Sequence, residues 1–117
     1  MTQSAAHAAV FFDEVAAGAR LWSIKDEGGF PAPVGLDGQR AMPFWSKLSR
    51  AERVIERVPT YSGFEAVEIP LRDFVDRWLP GLTRDRTLVG LNWSGPSATG
   101  YDLDPETVRG RLEAMGI

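Results

Sequence analysis

Residues 41–59 constrain the fold more than any other stretch, because they join a short strand directly to an amphipathic helix. Four apolar residues recur at helical spacing and predict one buried stripe: Ala51, Val54, Ile55 and Val58. The helix is expected to start near Ser46, with Ser49 and Glu52 at the spacing of a capping box. Pro59 disfavours helical geometry at the residue before it, so we expect the helix to end there.

The side of this helix opposite the apolar stripe is basic. It carries four cationic residues: Lys47, Arg50, Arg53 and Arg57. Together with the neighbouring Trp45, such a stripe could hold an anion. Glu52 and Glu56 are interleaved with it, and this mixture of charges favours a solvated helix face.

The length and composition are those of one folded domain. With 117 residues, of which 44% are hydrophobic and 25% charged, the chain can form a real core but has no room for two. We therefore expect a single domain over residues 1–117, with residues 1–4 and 116–117 frayed.

Charge and hydropathy bear on partners and location. The net charge of −3 is too small to indicate a nucleic-acid or anionic-membrane partner. No apolar run approaches the roughly 20 residues that span a bilayer, and the N-terminus lacks the pattern of a secretion signal. We expect a cytoplasmic protein with no nucleic-acid and no membrane partner.

Two residue types limit the chemistry. There are no cysteines, which excludes disulfides, thiolate catalysis and cysteine-ligated metal sites. The single histidine, His7, is interpreted as an exposed helix residue without a role. A protein-derived metal site would need carboxylates alone, and a serine–histidine–aspartate triad would need His7. We therefore expect no metal, no cofactor and no catalytic residue.

Periodicity predicts eight elements in the order α-β-β-α-β-α-β-α. Besides the central helix these are helices at 4–17, 72–79 and from 105 to the end, and strands at 21–25, 39–45, 66–71 and 88–93. The first two strands have no helix between them and are expected to be antiparallel, joined by a long connection over residues 28–38. The predicted fold is α+β, with a mainly antiparallel four-stranded sheet packed against helices.

Several residues predict local features of these elements. Pro43 cannot donate to a ladder and indicates an edge strand. Pro80 followed by glycine is expected to end the helix before it. Gly90 is expected to allow a close approach by a neighbouring backbone or side chain, in a strand where Val89, Leu91 and Trp93 share one face. The clearest local signal is a helix cap with proline at the first helical position, at Asp104 and Pro105.

The small-residue segment 94–100 is interpreted as a loop. It does not match the nucleophile elbow, because Thr99 occupies the position of the second glycine and no histidine follows. Nor is it a phosphate-binding loop, since no lysine with serine or threonine follows the glycine. Without a base, catalysis by Ser94 or Ser97 is not expected.

A group of carboxylates lies in the predicted turns: Asp26, Glu27, Asp37, Asp102 and Asp104. A pair of them could act as general acid and base or bind a hard cation. Turn and capping roles account for most of them, so they are interpreted as solvated turn residues.

Aromatic residues offer the strongest hint of a binding surface, because four tryptophans are many for this length. An indole needs apolar packing and also a partner for its N–H. Trp22, Trp78 and Trp93 are interpreted as core residues. If Trp45 and Tyr101 converge with Trp93 at the strand ends, they would line a groove for a peptide or small ligand.

Four segments resemble a small bacterial family known as domain of unknown function 2750. They read LWSIKD at 21–26, MPFWS at 42–46, DRWLPGL at 76–82, and VGLNW at 89–93 with GYDL at 100–103. Of these, RWLPGL is the most distinctive. The resemblance extends from about residue 11 to residue 112. It implies a compact bacterial cytosolic domain and carries over no activity and no catalytic residues.

These observations leave three functions open. The leading hypothesis is a non-catalytic module that binds an unknown protein or peptide, through an exposed strand edge or a surface of Trp45, Asn92, Trp93, Ser94, Tyr101 and Asp102. The alternative is a small-ligand sensor or enzyme that uses Asp26, Asn92 and Asp102 around the same groove. Nucleic-acid binding through the basic helix face ranks last. A homo-oligomer is left open.

Overall fold

The computed structural model describes residues 3–117, apart from the side chains of residues 3–5 and 7. The predictions for His7 and for fraying at residues 1–4 fall on residues whose side chains lie outside that description. In residues 3–117, no helix has both the length and the apolar character that crossing a membrane requires.

The described chain contains four helices and five strands. The helices are α1 (Gln3–Gly18), α2 (Leu48–Arg57), α3 (Leu71–Asp73, continuing through Phe74–Trp78 into Leu79–Arg84) and α4 (Pro105–Ala114). The strands are β1 (Arg20–Lys25), β2 (Arg40–Phe44), β3 (Glu65–Pro70), β4 (Thr87–Ser94) and β5 (Thr99–Leu103). A short 3₁₀ turn, Pro59–Tyr61, follows α2. The α+β class is confirmed.

The predicted four-stranded, mainly antiparallel sheet is wrong. The strands form two sheets, an antiparallel pair β1–β3 and a mixed sheet in the order β2-β4-β5. In the mixed sheet β2 runs parallel to β4, and β4 runs antiparallel to β5. The parallel pair is compatible with the sequence because the chain between β2 and β4 is long enough, and helical enough, for a crossover. β5 was not predicted at all.

The expected antiparallel pairing of β1 with β2 is reduced to a single bridge. β1 instead pairs with β3 along six residues. The bridge joins Trp22 of β1 to Trp45, directly after β2, through two backbone hydrogen bonds of 2.8 and 2.7 Å. This bridge places Trp45 where the two sheets meet.

Two apolar clusters form the core, one on each face of the mixed sheet. The first joins α1, α3 and α4 to residues such as Phe44, Val89 and Leu91. The second joins α2 to Trp22, Trp45 and Trp93. Side chains alternate along a strand, so the mixed sheet is covered on both faces.

β1 contributes side chains to both core clusters. Four of its six residues are buried, from Leu21 to Ile24, with Leu21 in the first cluster and Trp22 and Ile24 in the second. Inside it, the buried Ser23 hydroxyl donates to the Pro43 carbonyl at 2.8 Å. The prediction that Pro43 lies in an edge strand is confirmed, because β2 is the outer strand of the mixed sheet.

α2 confirms the predicted stripe and corrects the predicted cap. Ala51, Val54 and Val58 are buried, the fourth stripe residue Ile55 is partly buried against the same cluster, and the helix ends at Arg57, next to the predicted position. The N-cap residue is Lys47, and no side chain caps the helix. Ser46 does not cap because its hydroxyl is used in contacts with α1 and β4, described below.

α3 continues past the predicted stop at Pro80. A π-helical turn at Phe74–Trp78 precedes the proline, and the Leu79 N–H bonds to the carbonyl five residues earlier. In that register the next donor would be the N–H that Pro80 lacks, and its acceptor would be Val75. Arg109 of α4 replaces the missing donor, with its guanidinium 3.1 Å from the Val75 carbonyl oxygen.

The start of α4 is as predicted. Asp104 is the N-cap residue and its carboxylate accepts the Glu106 N–H at 2.8 Å. Pro105 occupies the first helical position, where its missing N–H costs nothing. Val108 and Leu112 are buried, whereas Met115, just beyond the helix end, is 42% exposed.

Candidate functional site

The candidate site is built around Trp93, and its position depends on a local break in β4. Asn92 has a φ of +50°, and the pairing of β4 with β5 changes register between Leu91 and Ser94. Asparagine tolerates this left-handed conformation better than most residues. The break corrects the prediction that Trp93 shares a face with Leu91, because Trp93 packs in the second core cluster and Leu91 in the first.

Two glycines make room for the Trp93 ring. A Cβ atom at Gly90 would lie 2.5 Å from the indole Cε2 and Nε1 atoms, so only glycine fits there. At Gly100 of β5 a Cβ would lie 3.0 Å from the indole Cδ1. The prediction that Gly90 permits a close approach is confirmed, and the approaching group is Trp93 itself.

The indole N–H and the backbone carbonyl of Trp93 both form hydrogen bonds. Its indole N–H donates to the Asp102 carboxylate at 2.8 Å, and its carbonyl accepts the Trp45 indole N–H at 2.8 Å. Trp45 is completely buried and supports Trp93 from inside. Each indole thus combines apolar packing with a hydrogen bond, the arrangement that buried tryptophan requires.

A polar network connects the Trp93 region to both neighbouring helices. The Asn92 side-chain oxygen Oδ1 accepts the Ser46 backbone N–H at 2.9 Å, and the Asn92 side-chain Nδ2 donates to the Ser46 hydroxyl at 3.0 Å. That hydroxyl has a single proton, which points to Glu14 of α1, whose carboxylate oxygen is 2.6 Å away. The network therefore fixes α1, the start of α2 and the break in β4 relative to one another.

Glu14 anchors the cationic side of this network. Arg50 binds both carboxylate oxygens at 3.1 Å, and Lys47 lies 3.8 Å from one of them. Burial alone would raise the pKa of the Glu14 carboxyl, but the hydrogen bonds from Arg50 and Ser46 and the two cationic charges together lower it. Glu14 is therefore ionised at neutral pH and fixes the position of Arg50.

A cavity of about 640 Å³ opens between α2 and the turn after β4. We call it the arginine cavity, after the three arginines of α2 that line it, Arg50, Arg53 and Arg57. Its other walls are Val10 and Val54 on the helices, Val58 directly after α2, and residues 92–96 on the strand and turn. The predicted site residues Asn92, Trp93 and Ser94 therefore belong to it.

The three arginines differ in their partners. Arg50 is held by Glu14, whereas within residues 3–117 Arg53 and Arg57 have no carboxylate within 4.0 Å. Both are exposed at their positions on the helix. The cavity thus combines apolar valine walls with two cationic groups that can reach a ligand.

A second cavity, of about 360 Å³, lies on the other side of the Ala98 turn. We call it the aspartate cavity, because Asp37 and Asp102 line it together with Tyr61, Trp93 and the loop at residues 33–35. Burial raises the pKa of the Asp102 carboxyl; the hydrogen bond from Trp93 lowers it, the charge of Asp37 raises it, and the net shift is upward.

The expected groove of Trp45, Trp93 and Tyr101 does not form. Trp45 has no exposed surface. Tyr101 lies directly opposite Leu91, so its side chain is on the face of the first core cluster, while Trp93 is on the other face. It is 38% exposed there. Of the predicted site residues, Asn92, Trp93 and Ser94 lie together, with Asp102 bonded to Trp93.

The groups suggested for catalysis are not brought together. Asn92 lines the arginine cavity and Asp102 the aspartate cavity, whereas Asp26 lines neither and binds the Gly28 N–H in its own turn at 2.8 Å. In the part of the chain that the structure describes, no three histidine or carboxylate side chains are placed to hold a metal ion.

The arginine cavity was not predicted, because the mixture of charges on α2 favoured a solvated face. The spacing of the arginines nevertheless indicated a shared position beside the apolar stripe. Arg50, Arg53 and Arg57 are spaced by three and four residues and so lie on one face of α2, next to the buried Val54 and Val58. What the sequence did not reveal is that the turn after β4 lies opposite that face.

These features define a small α+β domain with a mixed three-stranded sheet, covered on both faces, and two cavities that meet at one tryptophan. The chain matches the family described as "Protein of unknown function (DUF2750)" over residues 8–112, and it belongs to that family. A search of the curated proteins found no match. The family resemblance predicted from the sequence is confirmed.

Proposed function

We propose that this domain is a non-catalytic binding module that holds an acidic group of a protein or peptide in the arginine cavity. The observation that carries the proposal is the pair Arg53 and Arg57, which line the cavity without a carboxylate partner among the described residues. Arginine binds carboxylates through two parallel hydrogen bonds, and this geometry suits recognition better than a single point charge.

The walls of the cavity support a peptide-like ligand. Val10, Val54 and Val58 provide apolar surface beside the two arginines. The volume, about 640 Å³, falls within the range of roughly 300–1,000 Å³ found for ligand sites. An acidic side chain or a carboxyl terminus could pack its carbon atoms on the valines while its carboxylate meets the guanidinium groups.

The site also has a rigid frame, which lowers the entropy cost of binding. Glu14 holds Arg50, and Asn92 joins the turn side of the cavity to the start of α2 through Ser46. Trp93 is held by hydrogen bonds at both ends. A preorganised wall of this kind favours affinity because less of the site has to become ordered on binding.

A titration with a defined peptide pair tests the proposal. The probe is a short blocked peptide with two adjacent glutamates, and its control is the same peptide with two glutamines, each measured by calorimetry at low salt. We expect only the glutamate peptide to bind. Arg53→Gln and Arg57→Gln should each weaken it about fivefold, or ~1 kcal/mol, the value of a charge-assisted contact at a partly exposed site.

Arg84→Gln is the matched control, because it removes the same charge from an exposed position outside the cavity. It should leave the affinity within about twofold, since the long-range field of one exposed charge is screened. Equal binding of both peptides, or equal losses in all three variants, would contradict the proposal.

A small-ligand sensor or enzyme remains the second candidate, and one observation favours it: Asp102, whose pKa is raised, lines a cavity of its own. Prolonged incubation with short peptides that contain either glutamate or lysine, followed by mass spectrometry, separates binding from turnover. We expect the peptides to be recovered unchanged, whereas a product that disappears in Asp102→Asn would favour the enzyme. The bacterial origin and cytoplasmic location stay predictions.

A further inference from the structure

The aspartate cavity has the opposite charge to the arginine cavity and is not used by the proposed function. We propose that it holds the cationic end of an alkylammonium or alkylguanidinium group, which is the chemistry of a lysine or arginine side chain. The inference does not depend on the proposed function, because the residues that carry it are Asp37, Asp102 and Tyr61, none of which lines the arginine cavity.

The two carboxylates provide the charge. Asp102 uses one oxygen to accept the Trp93 indole N–H at 2.8 Å, and Asp37 uses one to accept the Gln39 N–H at 3.0 Å. Each therefore keeps a second oxygen for a ligand. Within residues 3–117 neither has a lysine or arginine within 4.0 Å, and the nearby Arg40 donates instead to the Ala32 carbonyl at 2.8 Å.

Tyr61 supplies independent evidence of a ligand site. The residue is only 8% exposed, and its hydroxyl has no hydrogen-bond partner among the described residues. No fully buried side-chain polar atom in the described part of the chain lacks a partner. The Tyr61 oxygen must therefore keep some open surface, and Tyr61 is one of the residues that line the aspartate cavity. Burial raises the pKa of Tyr61, so the group is a neutral phenol that can accept an N–H.

The remaining walls suit an alkyl chain that ends in a cation. Pro33, Val34 and Leu88 are apolar and can cover methylene groups. Trp93 adds an aromatic surface that its contacts with Gly90 and Gly100 hold in place. Aromatic surfaces attract cations, most strongly where water is excluded. The cavity of about 360 Å³ is large enough for one such side chain.

The charge of the aspartate cavity favours a cation over other ligands. An anionic ligand would be repelled by both carboxylates, and an uncharged alkyl group would gain nothing from them. An ammonium or guanidinium group can donate to the free carboxylate oxygens and to the phenol together.

The test follows the indole N–H resonance of Trp93, assigned with Trp93→Phe, while four probes are added at constant ionic strength. The probes are N-acetyl-lysine methylamide, its arginine and norleucine counterparts, and n-pentylamine. We expect saturable shifts with the lysine, arginine or amine probes, in the millimolar range typical of one side chain, and none with norleucine. Tighter binding of the lysine derivative than of n-pentylamine assigns the site to a peptide, and the reverse assigns it to a free amine; either supports the site.

Three variants locate the effect. Asp37→Asn and Asp102→Asn each retain an oxygen for their internal hydrogen bond while removing one charge, and each should weaken the cationic probes by about threefold or more. Glu113→Gln removes the same charge from an exposed position on α4, outside the cavity, and should have no effect. Shifts with norleucine equal to those with lysine, or equal losses in Glu113→Gln, would overturn the inference.

Discussion

The arginine cavity and the aspartate cavity are both lined by Trp93 but have opposite charges. In the first, the cationic groups come from one face of α2, and a buried polar network holds part of that face. In the second, the carboxylates come from a loop and an edge strand and are joined to the fold through single hydrogen bonds. The net charge of −3 therefore does not indicate which ligands the protein binds, because cationic and anionic side chains are concentrated in different cavities.

Some residues support both cavities, and others belong to only one. The shared support consists of Trp93, Gly90 and Trp45, so substitutions at these positions should weaken binding in both cavities. Glu14 belongs to the arginine side and Asp102 to the aspartate side. Variants at these positions therefore test whether the cavities are independent sites on a shared wall.

The largest effect is expected from Gly90→Ala. The new Cβ would lie 2.5 Å from the Trp93 ring, so the indole must move and its bond to Asp102 must break. Overpacking of this kind costs about 1–3 kcal/mol. Chemical denaturation should show that loss of unfolding free energy, and both the acidic-peptide and cationic probes should bind less well.

Gly110→Ala is the matched control. Gly110 lies in α4 with no atom near its would-be Cβ, so alanine there should stabilise the protein by roughly 0.5–1 kcal/mol. If Gly90→Ala had the same unfolding free energy as Gly110→Ala, the Trp93 ring could not lie against Gly90.

An intermediate effect is expected from Glu14→Gln, and only on the arginine side. Glutamine loses the charge that binds Arg50, which should cost about 1–2 kcal/mol of unfolding free energy at neutral pH. Because the folded-state pKa of Glu14 is lowered, its stabilisation is present above the unfolded-state pKa and is lost as the pH falls through the folded-state value.

In unfolding experiments run from about pH 7 to about pH 3, the difference in stability between the wild type and Glu14→Gln should therefore stay constant down to the ordinary glutamate pKa of about 4.3 and shrink as the pH falls further. Binding of the cationic probes should be unchanged. A difference that stays constant over the whole pH range would mean that the Glu14 charge contributes nothing.

The smallest effect is expected from Asp102→Asn. Because the folded-state pKa of Asp102 is raised, the folded wild type binds this proton more tightly than the unfolded chain does. Its stability should fall as the pH rises from the ordinary aspartate pKa through the raised value. Asparagine can still accept the Trp93 N–H but cannot ionise.

Asp102→Asn should therefore lose less stability than the wild type over that pH interval, by a small margin because the side chain is partly exposed. Urea denaturation at several pH values measures the margin. A larger loss of stability in the variant at neutral pH would show that ionised Asp102 stabilises the fold.

The sequence predicted features that depend on neighbours along the chain. The buried stripe of α2 and the cap at Asp104 are both encoded within a few residues, and both are confirmed. The edge position of Pro43 follows from the missing N–H alone. Such features need no knowledge of which distant segments meet.

Features that depend on distant segments were missed. The parallel pairing of β2 with β4 joins residues more than forty positions apart in the chain, and alternation within a strand does not specify its partner. β5 was missed because its residues are mostly exposed and include a glycine, so they show no buried pattern. Pro80 did not end α3 because Arg109, from another helix, replaces its hydrogen bond.

The grouping of the candidate site residues follows the same division. Asn92, Trp93 and Ser94 line one cavity as a continuous segment, whereas the convergence of Tyr101 with Trp93 depended on the pairing of β5 and on the break at Asn92, which the sequence does not specify. Trp45 was expected at a surface and is instead sealed where the sheets meet. The sequence indicated which residues carry polar groups, but not the direction in which their side chains point.

The central claim is that Arg53 and Arg57 bind an acidic group, and their own side-chain resonances test it most directly. The Nε–H signals of the arginines can be followed while the glutamate peptide is added, with Arg84 as the internal reference. The account predicts saturable shifts at Arg53 and Arg57, none at Arg84, and none with the glutamine peptide. Unchanged Arg53 and Arg57 signals at saturating peptide, or equal shifts at Arg84, would contradict it.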